Sequence, residues 1–192
     1  MATESEMTPR LRFPEFGNAG GWEEEQLSAS IDLVSGVHLS PNQYSTNGVL
    51  PYFTGPSDFT NDVGGVTKWT STGANTAKEH DTLITVKGSG VGEIWYLTIP
   101  WVAMGRQLMA VRPTRCSSRF LYYFLLTKRS RFEDLASGNL IPGLSRPDIL
   151  DLAASFPSVQ EQQKIADCLT SLDACVAAQG RKVEALRLTN GV

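Results

Sequence analysis

Apolar residues change their spacing several times along this chain, and the changes divide it. Residues 1–21 carry no sustained apolar period; polar residues, proline and glycine dominate. They read as a tail leading into an extended strap, with Phe13 and Phe16 as its anchors. Residues 22–31 (WEEEQLSASI) are expected to form a short helix, because Glu23, Glu24 and Glu25 suit a helix's first turn. From residue 34 to 113 the apolar runs become short, β-branched and bounded by turn residues. Strands are predicted over 49–53, 66–69, 81–87, 93–99 and 107–113. Their irregular spacing and long loops point to a small mixed sheet. Residues 118–136 switch to helical texture, with Phe120, Tyr123, Phe124 and Phe132 at helical offsets and Gly138 as the stop. Residues 137–152 form a turn-rich connector followed by a short helix or strand, and Pro157 and Ser158 lead into a last helix.

That last helix, over 161–188, has the clearest period. Ile165, Leu169, Leu172, Val176, Val183 and Leu186 follow one another at steps of four, three, four, seven and three. The step of seven skips Gln179, which stands where the next apolar residue belongs. This is a heptad seam with one polar interruption. At ~1.5 Å per residue the helix is about 42 Å long, more than a small domain needs. Two readings remain: an amphipathic helix docked on its own core, or a seam that meets a partner. Gly180 beside Gln179 lowers helix propensity by ~1 kcal/mol relative to alanine and marks a kink or a loosely packed point.

Composition narrows the picture. A chain of 192 residues, 41% apolar and 19% charged, fits one globular domain with an appendage. There is no apolar run long enough to span a membrane, and the acidic N-terminus lacks the apolar region of a secretory signal. Cys116, Cys168 and Cys175 are odd in number and form no CxxC, so reduced thiols in a cytoplasmic protein are expected, with Cys168 and Cys175 partly buried on one helix face. The net charge of −3 argues weakly against nucleic acid, but it conceals an asymmetry. Residues 1–65 hold nine acidic and two basic side chains, residues 66–131 three acidic and ten basic, residues 132–192 eight and five. A central segment of net +7 can focus a field on a polyanion.

Candidate chemistry mostly fails. GSGVG at 88–92 lacks the Lys-Ser or Lys-Thr of a phosphate loop and is followed by a strand, so a glycine-rich β-turn is expected. His38 and His80 have no Cys or His at metal-ligand spacing. GLSR at 143–146 lacks the second glycine of a nucleophile elbow. No catalytic residue, metal site or cofactor is expected on this chain.

A family resemblance rests on several segments in order: PRLRFPEF (9–16) then Trp22, DTLITVKGSGVGEIWYL (81–97), GRQLMAVRP (105–113) and FLYYFL (120–125). The most specific is 139–176, where a proline-containing segment precedes the pattern EQxxIAxxLxxLD, here Glu161, Gln162, Ile165, Ala166, Leu169, Leu172 and Asp173. In this the chain resembles the DNA-specificity subunits of type I restriction–modification enzymes, which serve host defence. The resemblance implies a non-catalytic subunit that binds one half of a split double-stranded DNA target. Methyltransferase subunits and a restriction/translocase subunit would use S-adenosylmethionine, ATP and magnesium to methylate adenine and cut. Full-length subunits carry two recognition domains and two conserved helices. This chain has one of each and so resembles a half-length form.

The fold implied is α+β: a small mixed-sheet target recognition domain with short helices, then a long C-terminal helix forming an antiparallel coiled coil with a second copy. The divisions are a strap at 1–21, a DNA target recognition domain at 22–156 and a dimerisation helix at 157–192. Candidate DNA contacts are Lys68, Lys78, Lys87, Ser89, Arg106, Arg112 and Arg115, with Asn61, Thr72 and Asn75 as further base readers. The coiled-coil interface would be Ile165, Leu169, Leu172, Val176, Gln179, Val183 and Leu186. Two other readings suit the same residues: a DNA-binding or decoy homologue outside a methylating complex, and a coiled-coil protein-interaction module.

Overall fold

A computed structural model describes residues 9–72, 74–137 and 143–190. Gly138, residues 139–142 of the resemblance motif and Gly191 lie outside the described residues. Strands β1 (Glu23–Gln26), β2 (Ile31–Ser35), β3 (Tyr44–Ser45), β4 (Leu50–Phe53), β5 (Trp69–Thr70), β6 (Thr76–Lys78), β7 (Thr82–Thr85), β8 (Ile94–Tyr96), β9 (Trp101–Met104) and β10 (Leu108–Pro113) come first. Helices α1 (Ser118–Thr127), α2 (Arg129–Ser137) and α3 (Arg146–Leu150) follow, then strand β11 (Ala153–Phe156) and helix α4 (Val159–Asn190).

The strands form three sheets. One is antiparallel in the order β2-β10-β7-β8. A second runs β3-β5-β4-β9-β6, with β4 and β9 parallel. The third is the antiparallel pair β1-β11. Strand β7 is buried on both faces: Ile84 enters one core with Val111, Leu121, Phe132 and Ile149, while Leu83 enters the other with Phe53, Leu97, Met104 and Leu108. A strand between two cores has no solvent face, which is why residues 82–86 (TLITV) show no alternation of apolar and charged positions.

The expected helix over 22–31 is not formed. Glu23–Gln26 is a strand, Leu27–Ala29 a single 3-10 turn, and Ile31–Ser35 a second strand. Ile31 and Leu33 are buried and Asp32 is exposed, a two-residue period that belongs to a strand. The partner of β1 is β11, some 130 residues away, so the pairing that decides the conformation has no local signature. The expected helix over 118–136 is two helices. They meet at Lys128, whose N–H turns back to the carbonyls of Leu125 and Leu126.

Helix α4 begins where Pro157 ends the β1-β11 pair, and its first turns are tied to the domain. Glu161 is buried and accepts from Arg12 Nε at 2.8 Å and Nη2 at 2.7 Å. Arg12 Nη1 donates to the carbonyls of Ala19 and Gly20, so the strap is anchored through Arg12. The hydrogen bond to Glu161 is the main reason the Arg12 pKa is raised. Buried Gln162 accepts from the Ser117 N–H and donates to the Pro157 carbonyl. Further along, Tyr123 donates to Asp173 at 2.7 Å.

Of the cysteines, Cys168 and Cys175 are exposed, not partly buried as expected, because α4 stands clear of the domain on that face. Burial, aided by the Glu25 charge, pushes the Cys116 thiol up to about 12. Alkylation of the native protein at pH 8 is therefore expected to spare Cys116 and to modify it once the chain is unfolded. Peptide mass mapping reads this directly, and rapid native labelling of Cys116 would contradict its burial.

Candidate nucleic-acid interface

The β7–β8 connection holds GSGVG and is a glycine turn, as expected. Gly88 and Gly92 have φ of +91° and +89°, which glycine alone adopts without strain. A Cβ at Gly90 would lie 2.5 Å from Pro56 Cγ, so the turn lies against residue 56 and holds its shape. Lys87 forms a bridge with Gly143, and the Leu144 N–H donates to the Val86 carbonyl at 2.8 Å. These contacts place residues 143–145 opposite the turn that precedes β10.

Between them opens a cleft of about 870 Å³ lined by Lys87, Gly88, Ser89, Arg106, Gln107 and Met109 on one side and Gly143, Leu144 and Ser145 on the other. Lys87, Ser89 and Arg106 are exposed, and among the described residues no carboxylate lines the cleft. Arg146, next to the cleft wall, donates to the Leu33 carbonyl and to Ser35 Oγ. Arg106 and Gln107 also line a smaller cavity of about 190 Å³ with His38, Tyr44 and Tyr52. They stand in the wall between the two spaces.

The structure thus brings together three of the seven basic or polar candidates and disperses the rest. Lys68 Nζ lies 2.9 Å from Asp58 Oδ1 and 2.9 Å from Thr54 Oγ1. Burial raises the Asp58 carboxyl, but its hydrogen bonds from Lys68 and Thr54 outweigh that and hold it below the usual range. Arg112 donates from Nη2 to Asp81 Oδ2 at 2.7 Å, and Asp81 is fully buried. Both cations are thus used inside the fold. Lys78 is exposed on edge strand β6 opposite Trp101. Arg115 lines a different pocket with Arg12, Glu23 and Glu25, below the start of α4.

Of the other polar candidates, Asn61 uses both ends of its amide, on the Tyr96 carbonyl and the Thr98 N–H. Asn75 donates to the Ser35 carbonyl, and Thr72 is bonded to Thr70. Gln107, Ser145 and Arg146 were not foreseen. Gln107 had a weak signal, since it follows Arg106 immediately before a strand; the 143–146 wall had none, because only tertiary pairing with Lys87 brings it to the cleft. His80 is exposed beside Glu79. Among the described residues no group of three or more His, Cys, Asp or Glu is placed to hold a metal ion. Among them, too, no helix is long and apolar enough to cross a membrane.

The α4 seam divides. Ile165 and Leu169 line an apolar groove of about 540 Å³ with Trp22, Phe120, Tyr123 and Phe124 of the same chain. Beyond them Leu172 (55%), Val176 (72%), Val183 (48%) and Leu186 (53%) are exposed. Gln179 and Gly180 are exposed as well. The helix is thus docked on its own core at Ile165 and Leu169, and its apolar residues from Leu172 onward are exposed.

Residues 20–187 match the family described as the type I restriction modification DNA specificity domain. A type I restriction enzyme EcoDI specificity subunit from Escherichia coli is 26% identical over 164 residues, covering 85% of this chain and 34% of that protein. The fold is similar to the HsdS subunit from Thermoanaerobacter tengcongensis, with TM-score 0.71 and 24% identity over 91% of this chain and 42% of that one. It is also similar to the S subunit of a type I system from M. genitalium, with TM-score 0.65 and 22% identity over 94% of this chain and 46% of that one. The chain spans about a third of the curated relative and less than half of each solved structure.

Proposed function

The chain belongs to the type I restriction modification DNA specificity family, and from that membership we propose that it selects one half of a split DNA target for partner subunits. Residues 22–156 act as the target recognition domain and 157–192 as the helix that sets its distance from a second reader. The chain performs no bond-making or bond-breaking step itself. Methyltransferase subunits and a restriction/translocase subunit supply the chemistry, with S-adenosylmethionine, ATP and magnesium bound on them. The second reader is another copy of this chain, paired through the exposed seam, and two identical readers related by a two-fold axis favour a palindromic, interrupted site.

The observation that carries the reading is the convergence of Lys87, Ser89 and Arg106, from two separate segments, on one open cleft where no described residue brings a carboxylate. Such a cleft suits a phosphate backbone: lysine and arginine neutralise phosphates and release condensed counterions, so binding weakens steeply with salt.

Duplex binding measured across a salt series tests this. Lys87→Ala and Arg106→Ala are each expected to lower the slope of log K against log salt by about 0.9, with unchanged melting temperature. Both side chains are exposed and, among the described residues, neither takes part in a salt bridge, so neither is needed for folding. Binding that is insensitive to salt, or a slope that neither substitution changes, rejects the reading.

A further inference from the structure

We infer that Gln107 is a specificity-determining residue that reads an adenine in the half-site; the inference rests on the DNA-selecting function proposed above. Its backbone is fixed, because the Val86 N–H donates to the Gln107 carbonyl at 2.7 Å just before β10 begins. Its side chain lies over two glycines. A Cβ at Gly55 would come 2.8 Å from Gln107 Oε1, and one at Gly88 would come 3.4 Å from Nε2. Space at two separate loops is thus kept for this one amide.

The amide itself makes no hydrogen bond among the described residues, although it is half-buried and lines both the cleft and the adjoining cavity. Asn61, by contrast, has its donor and its acceptor both engaged inside the fold. A partly buried amide on a pinned backbone, without a partner among the described residues, is poised for a ligand that offers one acceptor and one donor side by side. A phosphate offers acceptors only and leaves Oε1 unmatched. Of the base edges in the major groove, adenine alone presents that pair: N7 accepts from the Gln107 NH2, and the N6 amino group donates to Oε1. Guanine presents two acceptors, which Arg106 next in sequence suits better. Lys87 and Arg106 on either side would hold the flanking phosphates and bring the amide to the base.

The test uses the full chain assembled with the methyltransferase subunits of its system and a randomised duplex library, with enriched sequences read by sequencing. The wild-type complex is expected to return a motif with an adenine in the half-site read by this domain. Gln107→Ala should relax that position alone, with a loss of preference on the order of 5- to 150-fold. Gln107→Glu, which exchanges the donor for an acceptor at constant shape, should move the preference at that position from adenine to cytosine, whose N4 donates. Being isosteric, it reads the same position even if the alanine variant melts early. A wild-type motif that neither substitution alters overturns the inference about Gln107 and leaves the DNA-selecting function standing. Weakening that is uniform over all sequences assigns Gln107 to the backbone and overturns base reading. A wild-type complex that enriches no motif overturns both.

Discussion

Replacing Arg112 with methionine is expected to destabilise the fold by about 3–5 kcal/mol, whereas Arg106→Ala should leave stability within about 0.5 kcal/mol. The two arginines stand six residues apart in the same basic segment. Arg112 Nε and Nη2 both donate to the Asp81 carboxylate, and the Lys78 N–H donates to Asp81 Oδ2. Asp81 is fully buried at the start of β7, between the two cores. Methionine fills the volume but leaves that carboxylate with one backbone donor and no counter-charge, the costly way to break a buried pair. The hydrogen bond to Asp81 is also the main reason the Arg112 pKa is raised. Chemical denaturation separates the cases: a lowered midpoint for Arg112→Met, an unchanged midpoint with a lower salt slope in DNA binding for Arg106→Ala. If Arg112→Met folds as stably as the parent, the ion pair is not what holds Asp81.

That contrast explains how much the sequence revealed. The α+β class, the β-rich middle, the glycine turn and the long last helix were all legible, because each rests on a local period or a local stop. The EQxxIAxxLxxLD pattern was legible as a resemblance, but the work of Glu161 and Gln162 was not: they bind Arg12 and Ser117, respectively 149 and 45 positions away. The strand at 23–26 was misread because its three glutamates look like a helix's first turn, and only β11 reveals the strand. Charge was the least legible. A count of ten basic residues over 66–131 could not show that Lys68 and Arg112 are held by Asp58 and Asp81 while Lys87 and Arg106 are free to face a ligand. Nor could it place residues 143–145, which join the cleft through a bridge to Lys87.

Leu172→Asp is expected to turn the proposed dimer into a monomer while the domain keeps its melting temperature. Leu172 is 55% exposed and lies past the last residue that lines the groove against Phe120 and Phe124, so the domain does not depend on it. Leu169→Asp is a different experiment, because Leu169 lines that groove and a carboxylate there also destabilises the domain. In a two-fold pair each substitution removes two leucines from the interface. At roughly 1.5–3 kcal/mol for each buried leucine, the dissociation constant rises by about 150-fold to 25,000-fold. Light scattering at micromolar concentration reads the change, and an unaltered mass would remove the seam as the pairing surface. The same geometry governs spacing. Helix α4 runs for 32 residues, and those from 171 onward are exposed where burial is described. A heptad inserted after Ala178 adds about 10.5 Å of helix without touching the docked first turns. The two readers should then stand farther apart, and methylation mapping should return the same half-sites across a longer spacer. Half-sites that change with the insertion would mean that the helix takes part in reading bases; a spacer that stays fixed would mean that the seam does not set the distance.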